Sequence, residues 1–335
     1  MSIEHPLSHP AISVVVPCYN EEESLPELHR RVSAVCRSIT DSHEILLVND
    51  GSKDKTWDII QQLAATDKHV VGVNLSRNHG HQLALTAGLN ICRGDRVMVI
   101  DADLQDPPEL LTQMMALMDQ GADVVYGQRK SRAGESAFKK ITASAFYRLL
   151  NKLVDVEIPV DTGDFRLMTR QVVDELNKLK EVHRFIRGMV SWVGFRQVAL
   201  QYDRDKRYAG ETKYPLKKML MFALDAATSF STVPLRVATY LGGLFCFVSV
   251  LGIIYAVASF FLGTTVAGWT SVLILLMLVS GVQLFMMGII GEYVGRLYMQ
   301  SKARSLFIVK EVVAGPMVKE VTATPVAVPH DLVRG

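Results

Sequence analysis

The chain has 335 residues, enough for one substantial soluble domain plus a further element, and its 49% hydrophobic content excludes a disordered protein. A net charge of +2 gives no electrostatic case for nucleic acid as a partner. Cys18, Cys36, Cys92 and Cys246 show neither zinc spacing nor a secreted disulfide pattern, so a reducing cytosolic setting is expected.

Met1 to Pro10 lacks the basic stretch and apolar core of a signal peptide, so export is not expected. Residues 12 to 126 alternate short apolar runs with amphipathic stretches, the pattern of parallel strands and covering helices. The predicted strands are Ile12 to Val16, Glu44 to Val48, Val70 to Leu75, Arg96 to Ile100 and Asp123 to Tyr126. Predicted helices cover about 24–38, 54–65, 81–92 and 107–119, with Ser52 or Asp54 capping the second and Asn78 or His79 leading into the third. Pro107-Pro108 fits the first turn of the fourth, which continues through Leu110, Leu111 and Met114.

Leu216 to Val233 mixes Lys217, Lys218 and Asp225 with apolar residues, as helices lying among lipid headgroups do; a core-packing helix has the same pattern. From Val237 to Gly291 there is no charged side chain, and a break near Gly263 to Gly268 divides the stretch in two. Each half is long enough to cross about 30 Å of hydrocarbon. Lys217, Lys218 and Arg236 precede the pair, Arg296, Lys302 and Arg304 follow it, and the connecting loop is uncharged, so both flanks are expected in the cytosol. From about residue 311 the sequence turns Pro/Val/Thr-rich and reads as a mobile tail.

Three predicted strand ends carry polar clusters: Pro17-Cys18-Tyr19-Asn20-Glu21, Asn49-Asp50-Gly51-Ser52 and Asp101-Ala102-Asp103. Parallel strands put their C-terminal ends on one side of a sheet, so these clusters should share a crevice. Asp101 and Asp103 place two hard oxygen ligands one residue apart, which suits Mg²⁺ or Mn²⁺ carrying a phosphorylated substrate, with Gln105 facing the same crevice. The same triplet also occurs as ordinary loop or helix-cap chemistry. No Gly-x-Gly-x-x-Gly follows the first strand and no Gly-Lys-Ser/Thr loop occurs, so neither a dinucleotide dehydrogenase nor a P-loop NTPase is supported. His79 and His81, just past the third strand, read as helix-entry or surface residues. Arg129, Lys130, Lys139, Lys140, Arg204, Lys206, Arg207 and Lys213 are the cations available to an anionic substrate.

Together, Val16-Pro17-Cys18-Tyr19-Asn20-Glu21, Val48-Asn49-Asp50-Gly51-Ser52 and Asp101-Ala102-Asp103-Leu104-Gln105 resemble the signature segments of family-two glycosyltransferases with the GT-A fold. Over about residues 10 to 310 the chain is similar to the polyprenyl-phosphate glycosyltransferases, dolichol-phosphate mannose synthases and bactoprenol glucosyltransferases among them. The resemblance implies an α/β, Rossmann-like GT-A domain with a mostly parallel sheet, amphipathic juxtamembrane helices and a C-terminal two-helix transmembrane hairpin. The implied organisation is an N-terminal tail (1–10), a cytosolic glycosyltransferase domain (11–214), juxtamembrane helices (215–234), spans at 235–262 and 269–292, and a cytosolic tail (293–335).

The implied reaction is inverting transfer of a hexose to polyprenyl (undecaprenyl) phosphate at the cytosolic face of a bacterial inner membrane. Gly163-Asp164-Phe165-Arg166-Leu167-Met168 resembles the bactoprenol glucosyltransferase version of its segment and favours UDP-glucose as donor. GDP-mannose or a UDP-4-amino-arabinose-type donor is the alternative, and a non-catalytic membrane-anchored scaffold is a reading of another class. By the resemblance Pro17, Tyr19, Glu21, Asp50, Asp101, Ala102 and Asp103 hold the nucleotide sugar, and Asp101, Asp103 and Gln105 bind Mg²⁺ or Mn²⁺. Asp103, Asp164 and Arg129 would carry the catalysis, with Arg129, Arg207 and Lys213 on the acceptor phosphate.

Asp164 stands where relatives place a base that deprotonates the acceptor. A phosphate monoester, with its second pKa about 6, is already largely ionised at neutral pH, so orienting the sugar or Arg166 is the other role open to it. His183-Arg184-Phe185-Ile186-Arg187-Gly188 and Trp192 occupy the place of the Gln-x-x-Arg-Trp motif of polymerising relatives, so polymerisation is not expected. Homo-oligomers are common among such relatives, and no seam in the sequence identifies one.

Overall fold

The computed structural model describes residues 10–129, 159, 162–203, 233–262 and 268–315. They belong to two units, one built on a sheet and the other on two long helices. The sheet unit contains β1 (Ile12–Cys18), α1 (Leu25–Ile39), β2 (His43–Asn49), α2 (Thr56–Thr66), β3 (Val70–Leu75), α3 (His81–Ile91) and β4 (Arg96–Val99). It continues with α4 (Leu111–Asp119), β5 (Val124–Arg129), β6 (Thr162–Thr169), α5 (Arg170–Lys178), α6 (Ile186–Trp192), β7 (Gln197–Tyr202) and β8 (Val309–Ala314). The five predicted strands and four predicted helices are all present, with small shifts at their ends.

Strand order is β7-β5-β6-β4-β1-β2-β3-β8. β1 pairs in parallel with both β2 and β4, and β2 pairs in parallel with β3. β6 runs antiparallel to β4 and β5, and β8 antiparallel to β3, so the mostly parallel sheet is mixed. Val14, Val15, Leu46, Leu47, Val97 and Val99 are fully buried, as continuous apolar strands covered on both faces should be. α1 supplies part of that cover through Leu25, Leu28, Val32 and Cys36, one buried stripe at helical spacing. From β1 the order leads to β2 on one side and to β4 on the other, so the β1/β4 boundary is the switch point where open α/β sheets bind ligands.

β6, β7 and β8 lie beyond the predicted strands. β8 corrects the expectation of a mobile tail from about residue 311, because Val309–Ala314 pairs with β3 and covers an edge of otherwise unpaired main-chain groups. Gly72 of β3 permits the approach: a Cβ there would stand 2.7 Å from Val313 Cγ2 and 2.5 Å from Ile60 Cγ2. A short strand returning after a long helical excursion carries no local signal beyond Val-Lys-Glu-Val-Val-Ala, which explains why tail composition misleads.

At the N-terminal ends of β2 and β3, His43 and His69 stack with ring centroids 4.0 Å apart. His43 is fully buried, and its Nδ1 lies 3.0 Å from the Thr40 carbonyl oxygen, which makes Nδ1 the donor. Burial lowers the His43 pKa, and the neighbouring His69 adds to the effect. A histidine depressed in the folded state contributes stability that is present above its unfolded pKa of about 6.5 and is lost as pH falls toward the folded value. The melting temperature should therefore fall between about pH 7 and about pH 5. In His43→Asn, which keeps a donor for Thr40 but cannot take up a proton, thermal unfolding should show a shallower fall.

Among the described residues, the helical unit holds α7 (Val233–Phe261) and α8 (Trp269–Ser301). Large apolar side chains point outward: Tyr240 is 75% exposed, Phe261 81% and Leu284 69%, a surface suited to hydrocarbon and not to water. Leu278–Ser301 is long and apolar enough to cross a membrane. α8 runs to Ser301, and within it Glu292 and Arg296 form an ion pair one turn apart at 2.9 Å.

Candidate active site

Hydrogen bonds lace together the loops after β1 and β2. Asn20 Oδ1 accepts from Lys53 N at 2.9 Å, Ser52 Oγ accepts from Asn20 N at 3.0 Å, and Thr56 Oγ1 accepts from Glu21 N at 2.8 Å. Asn20 sits at φ 55°, a left-handed position that asparagine tolerates. The N-cap of α2 is Lys55 rather than the predicted Ser52 or Asp54; Asp54, one residue earlier, accepts from Thr56 N at 3.1 Å through Oδ1. The loop after β3 is held by Asp50, whose Oδ1 accepts from His79 N at 2.7 Å and whose Oδ2 accepts from Gly80 N at 2.9 Å. Gly51 makes the clamp sterically feasible: φ is +65°, and a Cβ would lie 2.5 Å from Asn78 N. Asp50 is 2% exposed, and burial raises its pKa against those two bonds. Of the residues expected to hold the nucleoside, Tyr19 is exposed at this rim, Glu21 accepts a bond from Ser24 Oγ, and Pro17 is buried within β1.

Beyond this rim stand the carboxylates. Asp101 and Asp103 follow β4, Asp164 lies on the adjacent antiparallel β6, and His81 and Gln82 open α3. His81 Nε2 is 3.0 Å from Asp164 Oδ2 and 3.5 Å from Asp101 Oδ1. Gln82 Nε2 donates to Asp164 Oδ2 at 3.0 Å, and Arg187 Nε donates to Asp164 Oδ1 at 2.9 Å. Under them Arg166 is buried, giving its guanidinium to the Asp164 and Gly163 carbonyls.

The charges interlock. Burial opposes a charge on His81, but the bond to Asp164 and the fields of Asp101 and Asp164 outweigh it and raise the imidazole to about 9, so it is protonated at neutral pH. Burial also opposes ionisation of Asp164, yet Arg187 and His81 hold its carboxyl well below the usual range. Burial raises Asp101 to about 6, with His81 pulling against it and Asp164, Asp106 and Asp103 adding to it.

Arg129 ends β5 in a second cluster. The Tyr202 hydroxyl donates to Asp106 Oδ1 and bonds Arg129, and a Cβ at Gly163 would lie 3.5 Å from Arg129 Nη2. Burial, then Asp106, raises the Tyr202 pKa, so the phenol stays protonated and fixes Asp106 and Arg129 together. Gly127 makes room, since a Cβ there would stand 2.6 Å from Phe165 Cδ1 and 2.8 Å from Tyr202 Cε1.

At the expected metal set, Gln105 donates its main-chain N–H to Asp103 Oδ1 at 3.1 Å. Among the described residues, no three His, Cys, Asp or Glu side chains form a metal cage. The donor chemistry still fits a hard divalent cation: Asp101 Oδ1 is buried without a hydrogen bond, in a cleft that also carries Asp103, Asp106 and Asp164. A Mg²⁺-type ion needs only one or two carboxylates when substrate phosphates complete its shell. Ala102 is buried between the two acids. Arg207, Lys213, Lys130, Lys139, Lys140, Arg204, Lys206 and the stretch 216–232 lie outside the described residues.

His81 opens α3 and is 44% exposed, as a helix-entry or surface residue should be, and it also pairs with Asp164. Gln82 and Arg187 lie beyond the predicted set. Arg187 sits in the segment that replaces the polymerase motif, and a second arginine three residues after Arg184 was the available signal. Arg184 is structural, donating to the Leu179 and Leu176 carbonyls at the end of α5.

The mixed α/β sheet, with an Asp-x-Asp after β4 and a carboxylate on the antiparallel β6, is a GT-A fold. Residues 13–176 match Glycosyl transferase family 2, and residues 233–297 match the GtrB C-terminal hairpin. The chain is 48% identical over 307 residues to the glycosyltransferase YkcC of Bacillus subtilis (strain 168), covering 90% of this chain and 94% of that protein. It is 41% identical over 303 residues to the bactoprenol glucosyl transferase of Shigella phage SfV, covering 89% and 98%. With the prophage bactoprenol glucosyl transferase homolog of Escherichia coli (strain K12) it shares 39% identity over 302 residues, 90% of this chain and 99% of that one. The chain belongs to glycosyl transferase family 2 and is a glycosyltransferase. Its C-terminal hairpin associates it with a membrane.

Proposed function

We propose that the chain transfers glucose from UDP-glucose to the phosphate of a polyprenyl lipid, with inversion, at the cytosolic face of a membrane crossed by α7 and α8. The observation that carries this reading is the convergence of Asp101, Asp103 and Asp164 with His81 and Arg187 at the switch point of the sheet. The names of relatives at about 40% identity support glucose and a lipid phosphate. In the organisation proposed, the catalytic domain covers 11–214, with juxtamembrane helices at 215–234 and both termini cytosolic.

Asp101 and Asp103 would hold Mg²⁺ or Mn²⁺. When bound, such an ion neutralises the charge that grows on the departing diphosphate. A lipid phosphate oxygen attacks the anomeric carbon, the bond from that carbon to the diphosphate oxygen breaks, and the electron pair leaves with UDP. Arg129, fixed by Tyr202 and Asp106, is suited to the incoming phosphate, with Arg207 and Lys213 as further cations. Asp164, kept anionic by Arg187 and His81, accepts no proton readily and is suited to orienting sugar hydroxyls. His81 keeps Asp101 and Asp164 from repelling one another.

The test offers the full chain, with undecaprenyl phosphate and Mg²⁺ or Mn²⁺, each of UDP-glucose, UDP-galactose, UDP-N-acetylglucosamine, GDP-mannose and UDP-4-formamido-arabinose. Lipid-linked sugar should form fastest from UDP-glucose. Faster product from GDP-mannose or the arabinose donor would replace the donor assignment, and no product from any donor would refute the reaction.

A further inference from the structure

We propose that Arg187 and Gln82 are positioning residues that fix the direction of the Asp164 carboxylate, and that α6 is the element through which they act. The inference rests on the glycosyl-transfer reading above and deepens it.

Three contacts meet at Asp164 Oδ2: His81 Nε2 at 3.0 Å, Gln82 Nε2 at 3.0 Å and Arg187 Nη2 at 3.5 Å. Oδ1 accepts from Arg187 Nε at 2.9 Å. A carboxylate gripped on both oxygens by a planar fork cannot rotate without breaking several charge-assisted bonds. The fork is itself anchored, since Arg187 Nη1 donates to the Thr162 carbonyl at 3.1 Å on the same strand as Asp164. Gln82 closes a ring: while its Nε2 holds Asp164, its Oε1 accepts from Ile186 N at 2.9 Å, the first residue of α6. The path from α3 to β6 to α6 and back therefore passes through one amide, one guanidinium and one carboxylate.

A purely structural role has a clear example next door. Arg184 is 8% exposed and spends its guanidinium on main-chain carbonyls of α5. Arg187 keeps 26% side-chain exposure and directs its fork to the buried Asp164 carboxylate.

The experiment compares full-length wild type with Arg187→Gln, Arg187→Lys, Gln82→Leu, Asp164→Asn and the Asp164→Asn/Arg187→Gln double variant, measuring kcat, donor KM and melting temperature. Misplacing a substrate-positioning group by about 1 Å costs about 10²-fold, so Arg187→Gln should lower kcat by about that factor with donor KM little changed. Arg187→Lys should recover only part of the loss, because a single ammonium cannot make the fork. The double variant should be no slower than Asp164→Asn alone, as expected of residues acting on one group. Effects that multiply in the double variant, or wild-type kcat in Arg187→Gln, would overturn the inference. Should Arg187→Gln fail to fold, Gln82→Leu and its double variant with Asp164→Asn decide by the same criterion. Absence of product from wild type would sink the transfer reading itself, a result separate from either outcome for the variants.

Discussion

Asp103→Asn should keep its fold and lose sugar transfer. In the native turn Asp103 Oδ1 accepts from Gln105 N at 3.1 Å, and Leu104 follows at φ 58°. An asparagine offers the same oxygen at the same place and is equally at home in such a turn, so the melting temperature should stay near that of wild type. What disappears is one negative charge in the cleft that Asp101, Asp106 and Asp164 share. If that charge helps to hold the donor diphosphate through a divalent ion, its removal should reduce kcat/KM by about 10²- to 10³-fold, the scale on which loss of one preorganised electrostatic contact is felt. A variant with full activity would show that the turn is a turn and nothing more.

Replacing Asp164 should damage stability as well as activity. Asp164→Ala removes the acceptor for Arg187, His81 and Gln82 together and leaves the guanidinium and imidazolium facing each other without an intervening anion. Breaking a fully buried pair costs about 3–5 kcal/mol; here Arg187 and His81 keep some solvent contact, so the cost should be about 2–4 kcal/mol. Asp164→Asn should be milder in thermal unfolding but not in turnover. If its oxygen serves Arg187, its amide N–H group meets His81 and Gln82 donor against donor, which favours the neutral imidazole. Both variants should lose about 10²-fold or more in kcat. In wild type, Arg187 and His81 hold the Asp164 carboxyl well below the ordinary range, so its ionisation should leave no acidic limb in the rate profile above about pH 5. Burial and the Asp164 charge raise Asp101 to about 6, so a limb that persists in Asp101→Asn and disappears in Asp164→Asn would make Asp164 a titrating base instead.

The parallel half of the sheet was legible because its strands announce themselves. Val14-Val15-Val16, Leu46-Leu47-Val48 and Val97-Met98-Val99 are continuous apolar runs, each followed within a few residues by polar side chains that share one edge. β6 was harder to read because Asp164 and Arg166 alternate with Phe165 and Leu167 as on a half-exposed strand, whereas both are buried through bonds that only the folded chain supplies. His81 and Arg187 illustrate the limit more sharply. His81 meets Asp164 across 83 residues of sequence and Arg187 meets it across 23, and neither sits in a spacing that distinguishes a site residue from a surface one. Asp50 shows the reverse case: its place in the crevice was evident, but its two main-chain bonds to the β3–α3 loop depend on the left-handed Gly51 and on a loop 29 residues away.

The central claim is that this crevice passes an activated glucose to a lipid anion. Its most direct test follows label from [¹⁴C]UDP-glucose with the full chain in lipid nanodiscs, reading organic-phase radioactivity and free UDP together. Label should enter the lipid fraction in step with UDP release, only when undecaprenyl phosphate and a divalent cation are both present, and not with Asp103→Asn. Label that remains on the nucleotide with every component present, or that reaches lipid equally well with Asp103→Asn, would contradict the account.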